Sequence, residues 1–196
     1  MLALFLIFVV ILCVFLALAF FAMPLYAPPR SVVSTSSTML GRSLNGLPWI
    51  PQTVAQARAM DPTDFEYLSA ALVMAQGNGY SFYRHTGQSG DQGIDAKLLN
   101  VHSLSVVIQS KRYGDENHVE PSEVLSFWGA IKRHDAIYGY FVTTSTFSTS
   151  AWQILRASRG LIHAIDENQL AWLLQQRSYE IALAYSDVLR QLQVQQ

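Results

Sequence analysis

Every residue from Met1 to Met23 is apolar, with no charge, glycine or proline in the run. At 1.5 Å per residue such a helix is about 34 Å long, enough to cross a hydrocarbon layer of roughly 30 Å with some tilt. A single transmembrane helix over residues 1–23 is therefore expected. A cleaved signal peptide fits less well, because nothing basic precedes the run and it exceeds the usual apolar stretch of about 7–15 residues. Residues 24–60 then show no apolar period. They carry Pro24, Pro28, Pro29, Pro48 and Pro51 and a Ser/Thr-rich stretch from Ser31 to Thr38, which predicts a flexible tether.

Periodicity resumes at Asp61, a helix cap followed by Pro62, with Phe65, Leu68, Leu72 and Ala75 as a buried stripe and Gly77 as the stop. Strands are expected at Tyr80–Thr86, Ile94–Leu99 and about Leu104–Lys111, forming a meander. A helix from Pro121 buries Val124, Phe127 and Ile131, and an apolar strand runs from Ile137 to Thr143. Ser148 or Thr149 caps the next helix, Gly160 ends it, and Leu161–Ile165 is a fifth strand. Asp166 caps a helix through Leu174, and Trp128, Trp152 and Trp172 sit at core spacing. The order is α-β-β-β-α-β-α-β-α, an α/β domain over residues 61–175, closed by a C-terminal amphipathic helix within 176–196.

Charge sets the orientation of the span. Arg30, Arg42 and Arg58 follow the apolar run and no basic residue precedes it, so the positive-inside rule predicts a cytoplasmic C-terminal domain. The only cysteine, Cys13, lies inside the run, which leaves no disulfide framework. From Asp61 onward 10 basic residues stand against 14 acidic ones, a balance that argues against holding nucleic acid by bulk charge alone.

Alternation in the third strand puts Leu104, Val106 and Ile108 on one face and Val107, Gln109 and Lys111 on the other. The meander lays Asp95 beside Gln109. A carboxylate, an amide oxygen and an ammonium then converge. That set suits a hard divalent cation held by Asp95 and Gln109, with Lys111 orienting water and offsetting phosphate charge. Either Asp95 or Lys111 alone reads more simply as a turn carboxylate or a solvated lysine. Asp91 reads as a turn residue, and the five histidines lack metal-ligand spacing.

The chain carries Phe65-Glu66, Thr86-Gly87-x-x-Gly90-Asp91-x-Gly93-Ile94-Asp95, Gln109-Ser110-Lys111, and Phe141-Val142-Thr143-Thr144 followed by Phe147 and Ala151. On these parts the segment from about Asp64 to Leu174 resembles the catalytic domain of Mrr-type restriction endonucleases, in the PD-(D/E)xK nuclease superfamily. It departs at Gln92, where the loop often has glycine, and at Ser110, where cysteine is frequent. The resemblance implies a restriction-endonuclease-like core, αβββαβ, with a central mixed sheet flanked by helices. It also implies Mg²⁺- or Mn²⁺-dependent hydrolysis of DNA phosphodiester bonds. Asp95 corresponds to the metal-binding aspartate, Gln109 stands in for the more usual glutamate, Lys111 is the catalytic lysine, and Glu66 adds an acidic contact to metal or water. The expected partners are DNA, the membrane through residues 1–23, and a second copy, since cutting both strands calls for two active sites. RNA as substrate uses the same chemistry. The reading from another class is a catalytically inactive nuclease-like module for binding or assembly at the membrane.

Overall fold

The computed structural model describes residues 46–86 and 93–195. The apolar run 1–23, the first part of the expected tether and the glycine-rich loop 87–92 lie outside the described residues. No helix among the described residues is long and apolar enough to cross a membrane.

Five strands form one mixed sheet in the order β1-β2-β3-β4-β5: β1 (Ser81–His85), β2 (Ala96–Leu99), β3 (Ser105–Lys111), β4 (Tyr138–Thr143) and β5 (Ile162–Ile165). The first three make the expected antiparallel meander, and β3, β4 and β5 run parallel. Each strand starts one or two residues inside the apolar run that predicted it. At β2 the backbone of Asp95 still donates to Ile108 O and accepts from Thr86 N, both at 2.8 Å, so pairing continues just outside the regular ladder.

Helix α2 (Pro62–Met74) starts at Asp61, whose carboxylate accepts from Thr63 N at 2.9 Å. With α5 (Glu167–Gln176) and α6 (Ser178–Val194) it covers one face of the sheet. Phe65, Leu68, Leu72, Leu173 and Ile181 pack there on Leu98, Val106, Ile108 and Val142. Helices α3 (Pro121–Arg133) and α4 (Thr149–Ala157) cover the other face, setting Val124, Phe127, Ile131 and Leu155 on Val107 and Phe141. Ser148 and Asp166 cap α4 and α5 as expected.

Two expectations need correction. Within the expected tether, α1 (Val54–Arg58) is a capped helix, Ile50 and Ala57 are buried, and Ile50 joins the first core, so residues 46–60 belong to the fold. Arg58 donates to Thr144 O at 3.1 and 2.7 Å and to Glu167 Oε2 at 2.9 Å, and it pairs with Asp115. A helix of five residues is too short to display a 3.6-residue period, which is why it does not stand out in the sequence. Trp172, expected in the core, is 55% exposed, because Leu170, Leu173 and Leu174 form the inward stripe of α5 and Trp172 falls on its outer side.

The seat of α3 on β4 depends on Gly139. A Cβ there would stand 2.5 Å from Phe127 Cζ and 3.1 Å from Ile131 Cδ1, both buried side chains of α3. Gly139→Ala is therefore expected to destabilise the domain by about 1–3 kcal/mol through overpacking. Denaturant unfolding should show a lower midpoint with the same slope, and an unchanged midpoint would contradict this packing.

Candidate active site

The chemistry-bearing residues gather where β3 and β4 end. Gln109 lies beside Phe141 and Lys111 beside Thr143 in the parallel register, on the same sheet face as the core residue Val107. The first turns of α3 close over this end and leave a cleft of about 210 Å³. Gln109, Lys111, Glu123, Ser122 and Ser126 line it, with Gly93 at one side and Phe141 beneath.

Asp95 sits at the mouth of β2, as the meander predicts. Its Oδ2 accepts from Gln109 Nε2 at 2.9 Å and from the Ser110 backbone N–H at 2.6 Å. Burial disfavours the ionised carboxyl and raises its pKa from 3.8 to about 6. The Ser110 N–H opposes that shift, the Glu66 charge adds to it, and Lys111 and His85 offset part of it. Gln109 therefore turns its amide nitrogen to Asp95. Gly93, at φ +87°, leaves room for the far end of that amide, since a Cβ there would lie 3.1 Å from Gln109 Oε1.

Lys111 Nζ stands 3.6 Å from Glu123 Oε1. Glu123 is held from two other sides, by the Tyr113 hydroxyl at 2.5 Å and by the Glu120 backbone N–H at 3.0 Å. Burial, together with its bond to Glu123, pushes Tyr113 up to about 12. Glu66, on α2, faces β1 instead of the cleft, with Oε2 2.5 Å from His85 Nε2. The Tyr67 ring meets His85 edge-on at 4.9 Å. Asp95 and Gln109 are thus in direct contact, Lys111 shares their end of the sheet, and Glu66 reaches Asp95 through its charge.

Glu123, Tyr113 and His85 do not stand out in the sequence. Glu120-Pro121-Ser122-Glu123 carries a legible signal, a capping box around an N-terminal proline, and the box forms. His85 has none, because its partner is 19 residues away on a packed helix.

Among the described residues no group of three or more His, Cys, Asp and Glu side chains is placed to hold a metal ion. The donor chemistry still fits a hard cation. Asp95 offers oxygens, Gln109 offers one beside them on turning its amide, whose nitrogen faces Asp95, and a buried carboxylate short of compensating charge gains most from a cation. Gln109→Glu would set a second carboxylate against Asp95. Two acids about 3 Å apart cannot both ionise, so the pair should bind a proton at neutral pH. Such a pair stabilises the fold at low pH and loses that contribution as pH rises through the raised pKa values. Metal-free Gln109→Glu is therefore expected to melt below wild type at pH 8 and close the gap by pH 5.

A family model described as restriction endonuclease, the Mrr catalytic domain, matches residues 57–174. The chain is similar to the Type IV methyl-directed restriction enzyme EcoKMrr of Escherichia coli (strain K12), 30% identical over 122 residues, 59% of this chain and 38% of that enzyme. Among solved structures it is similar to MspJI restriction endonuclease in complex with a 27-mer oligonucleotide (TM-score 0.53, 19% identity, 81% of this chain and 40% of that one). It is likewise similar to the DNA modification-dependent restriction endonuclease AspBHI (TM-score 0.53, 18% identity, 83% and 45%). At these identities the two structures speak for the fold, and the chain spans less than half of each of the three proteins. With the family model covering more than half its length, the chain belongs to the Mrr-type restriction endonucleases.

Proposed function

We propose that this chain is a divalent-cation-dependent endodeoxyribonuclease acting as a dimer, tied to the membrane by residues 1–23. The observation that carries the reading is the convergence of Asp95, Gln109 and Lys111 at one end of β2 and β3, with Asp95 bonded to Gln109 at 2.9 Å. Asp95 and Gln109 would hold Mg²⁺ or Mn²⁺, with Glu66 adding only its negative charge from α2. The cation would supply a polarised phosphoryl oxygen and an acidified water. Lys111 offsets charge on the phosphate and orients the attacking water, while Glu123 and Tyr113 fix where its ammonium stands.

The similarity to a methyl-directed enzyme makes methylated DNA the first substrate to test. Purified full-length chain is to be incubated with methylated DNA, unmethylated DNA and RNA, with Mg²⁺, with Mn²⁺ and with chelator. Cation-dependent cutting of DNA that Asp95→Ala abolishes is the expected result. No cutting with either ion, or equal cutting by Asp95→Ala, would replace this reading with the inactive binding module.

A further inference from the structure

Beside the candidate active site, β1 and β2 carry a feature that the fold does not use. Phe82 pairs with Leu98 and Arg84 with Lys97, so Tyr83 is the extra residue of a β-bulge. Bulges re-aim side chains and are over-represented next to active sites. Tyr83 is 48% exposed, and both Arg84 Cζ and Lys97 Nζ lie over its ring, at 5.9 and 6.0 Å. The bulge is fastened from behind, where Gln195 Nε2, just past the end of α6, donates to Tyr83 O at 2.6 Å.

The orientation follows from the ladder. Ala96 and Leu98 point into the core under α2, so Lys97 points to the opposite face. Its register partner is Val107, two residues before Gln109 on the face that bears the cleft. Lys97 is likewise two residues from Asp95, a strand rise of roughly 7 Å. Lys97 therefore stands within reach of a phosphate neighbouring one held at Asp95, with Arg84 across the ladder from it.

Arg84 and Lys97 face each other across two strands as like charges, an arrangement that destabilises a sheet. Neither forms an ion pair among the described residues. In a domain that is acidic overall, a cross-strand pair of cations with no ion-pair partner among the described residues is complementary to a polyanion.

We infer that Tyr83, Arg84 and Lys97 form a DNA-contact site, distinct from the cleavage residues, that holds the phosphate backbone of duplex flanking the scissile bond. The inference rests on the nuclease reading for its ligand. The aromatic ring orients the two cations and packs against the sugar-phosphate chain, a contact that carries no base sequence.

The test is a salt titration of full-length chain binding a fluorescent 30-base-pair duplex in chelator, so that no cleavage intervenes. Each phosphate that is no longer neutralised lowers the slope of log affinity against log salt by about 0.9, so Arg84→Gln/Lys97→Gln should lower it by roughly 1.8. Arg84→Lys/Lys97→Arg should keep the wild-type slope, and Tyr83→Phe should bind more tightly than Tyr83→Ala. Should the double glutamine variant misfold, Lys97→Gln alone should lower the slope by about 0.9. If wild type cuts DNA with Mg²⁺ while a folded glutamine variant keeps the full slope, the contact site is overturned and the nuclease reading stands. If the slope falls as expected but wild type cuts nothing with Mg²⁺ or Mn²⁺, the contact site stands and the nuclease reading fails.

Discussion

Asp95→Asn is expected to abolish cleavage and, at neutral pH, to make the metal-free protein more stable. The loss of activity follows from removing the charged cation ligand, whose contribution of several kcal/mol to the transition state corresponds to a rate loss of at least roughly a thousandfold. The gain in stability follows from burial. A carboxyl whose pKa is about 6 in the folded chain and 3.8 outside it binds more protons when folded. Its stabilising contribution is therefore complete below about pH 4 and is lost as pH rises through about 6. That difference corresponds to at most about 3 kcal/mol, and a side chain that keeps some solvent contact should show about 1–2. Asparagine presents an Oδ1 that can still accept from Ser110 N and Gln109 Nε2. Thermal melts should show the variant and wild type together at pH 4, with the variant higher by several degrees from pH 6 upward. Added Mg²⁺ should raise wild type and leave the variant unmoved. A variant that melted lower at pH 7.5, with cleavage retained, would refute both halves.

Lys111→Met should separate the two effects, with activity lost and stability unchanged. Methionine keeps most of the apolar stem and removes the ammonium, so cleavage should fall by about 10²- to 10⁴-fold. The ion pair with Glu123 spans 3.6 Å and the lysine side chain is 36% exposed, so little stability rests on it. Glu123 keeps its bonds from Tyr113 and Glu120 and is not stranded. Cation binding, followed by calorimetry on the metal-free chain, should persist in Lys111→Met and vanish in Asp95→Asn. Equal loss of binding in both would mean that Lys111 organises the site instead of acting on the substrate.

Much of this molecule is legible in its sequence because its signals are local. Alternation in β3 separates Val106 and Ile108 from Val107 and Gln109, and the two apolar sets do enter different cores. Asp61, Ser148 and Asp166 name their helix starts through side chains that bond amides two or three residues on. The Asp95–Gln109 contact is readable because a meander fixes the register of adjacent strands. What escapes is set by distant packing. His85 meets Glu66 only once α2 lies across β1, and the shortest bond to Asp95 comes from a backbone amide, which no residue type announces. Helix α1 escapes for a different reason, since Ile50 and Ala57 bury apolar surface from a segment rich in proline and too short to show a period.

That docked segment has a mechanical consequence. Arg58 grips Thr144 O, and the next hydrogen bond inward runs from Thr144 N to Lys111 O at 3.2 Å. Tension entering the domain from its N-terminal side meets Ile50 in the first core and then this clasp. The clasp's load path ends on the peptide group of the lysine at the cleft, so once Ile50 gives way a pull on the upstream chain is felt at β3.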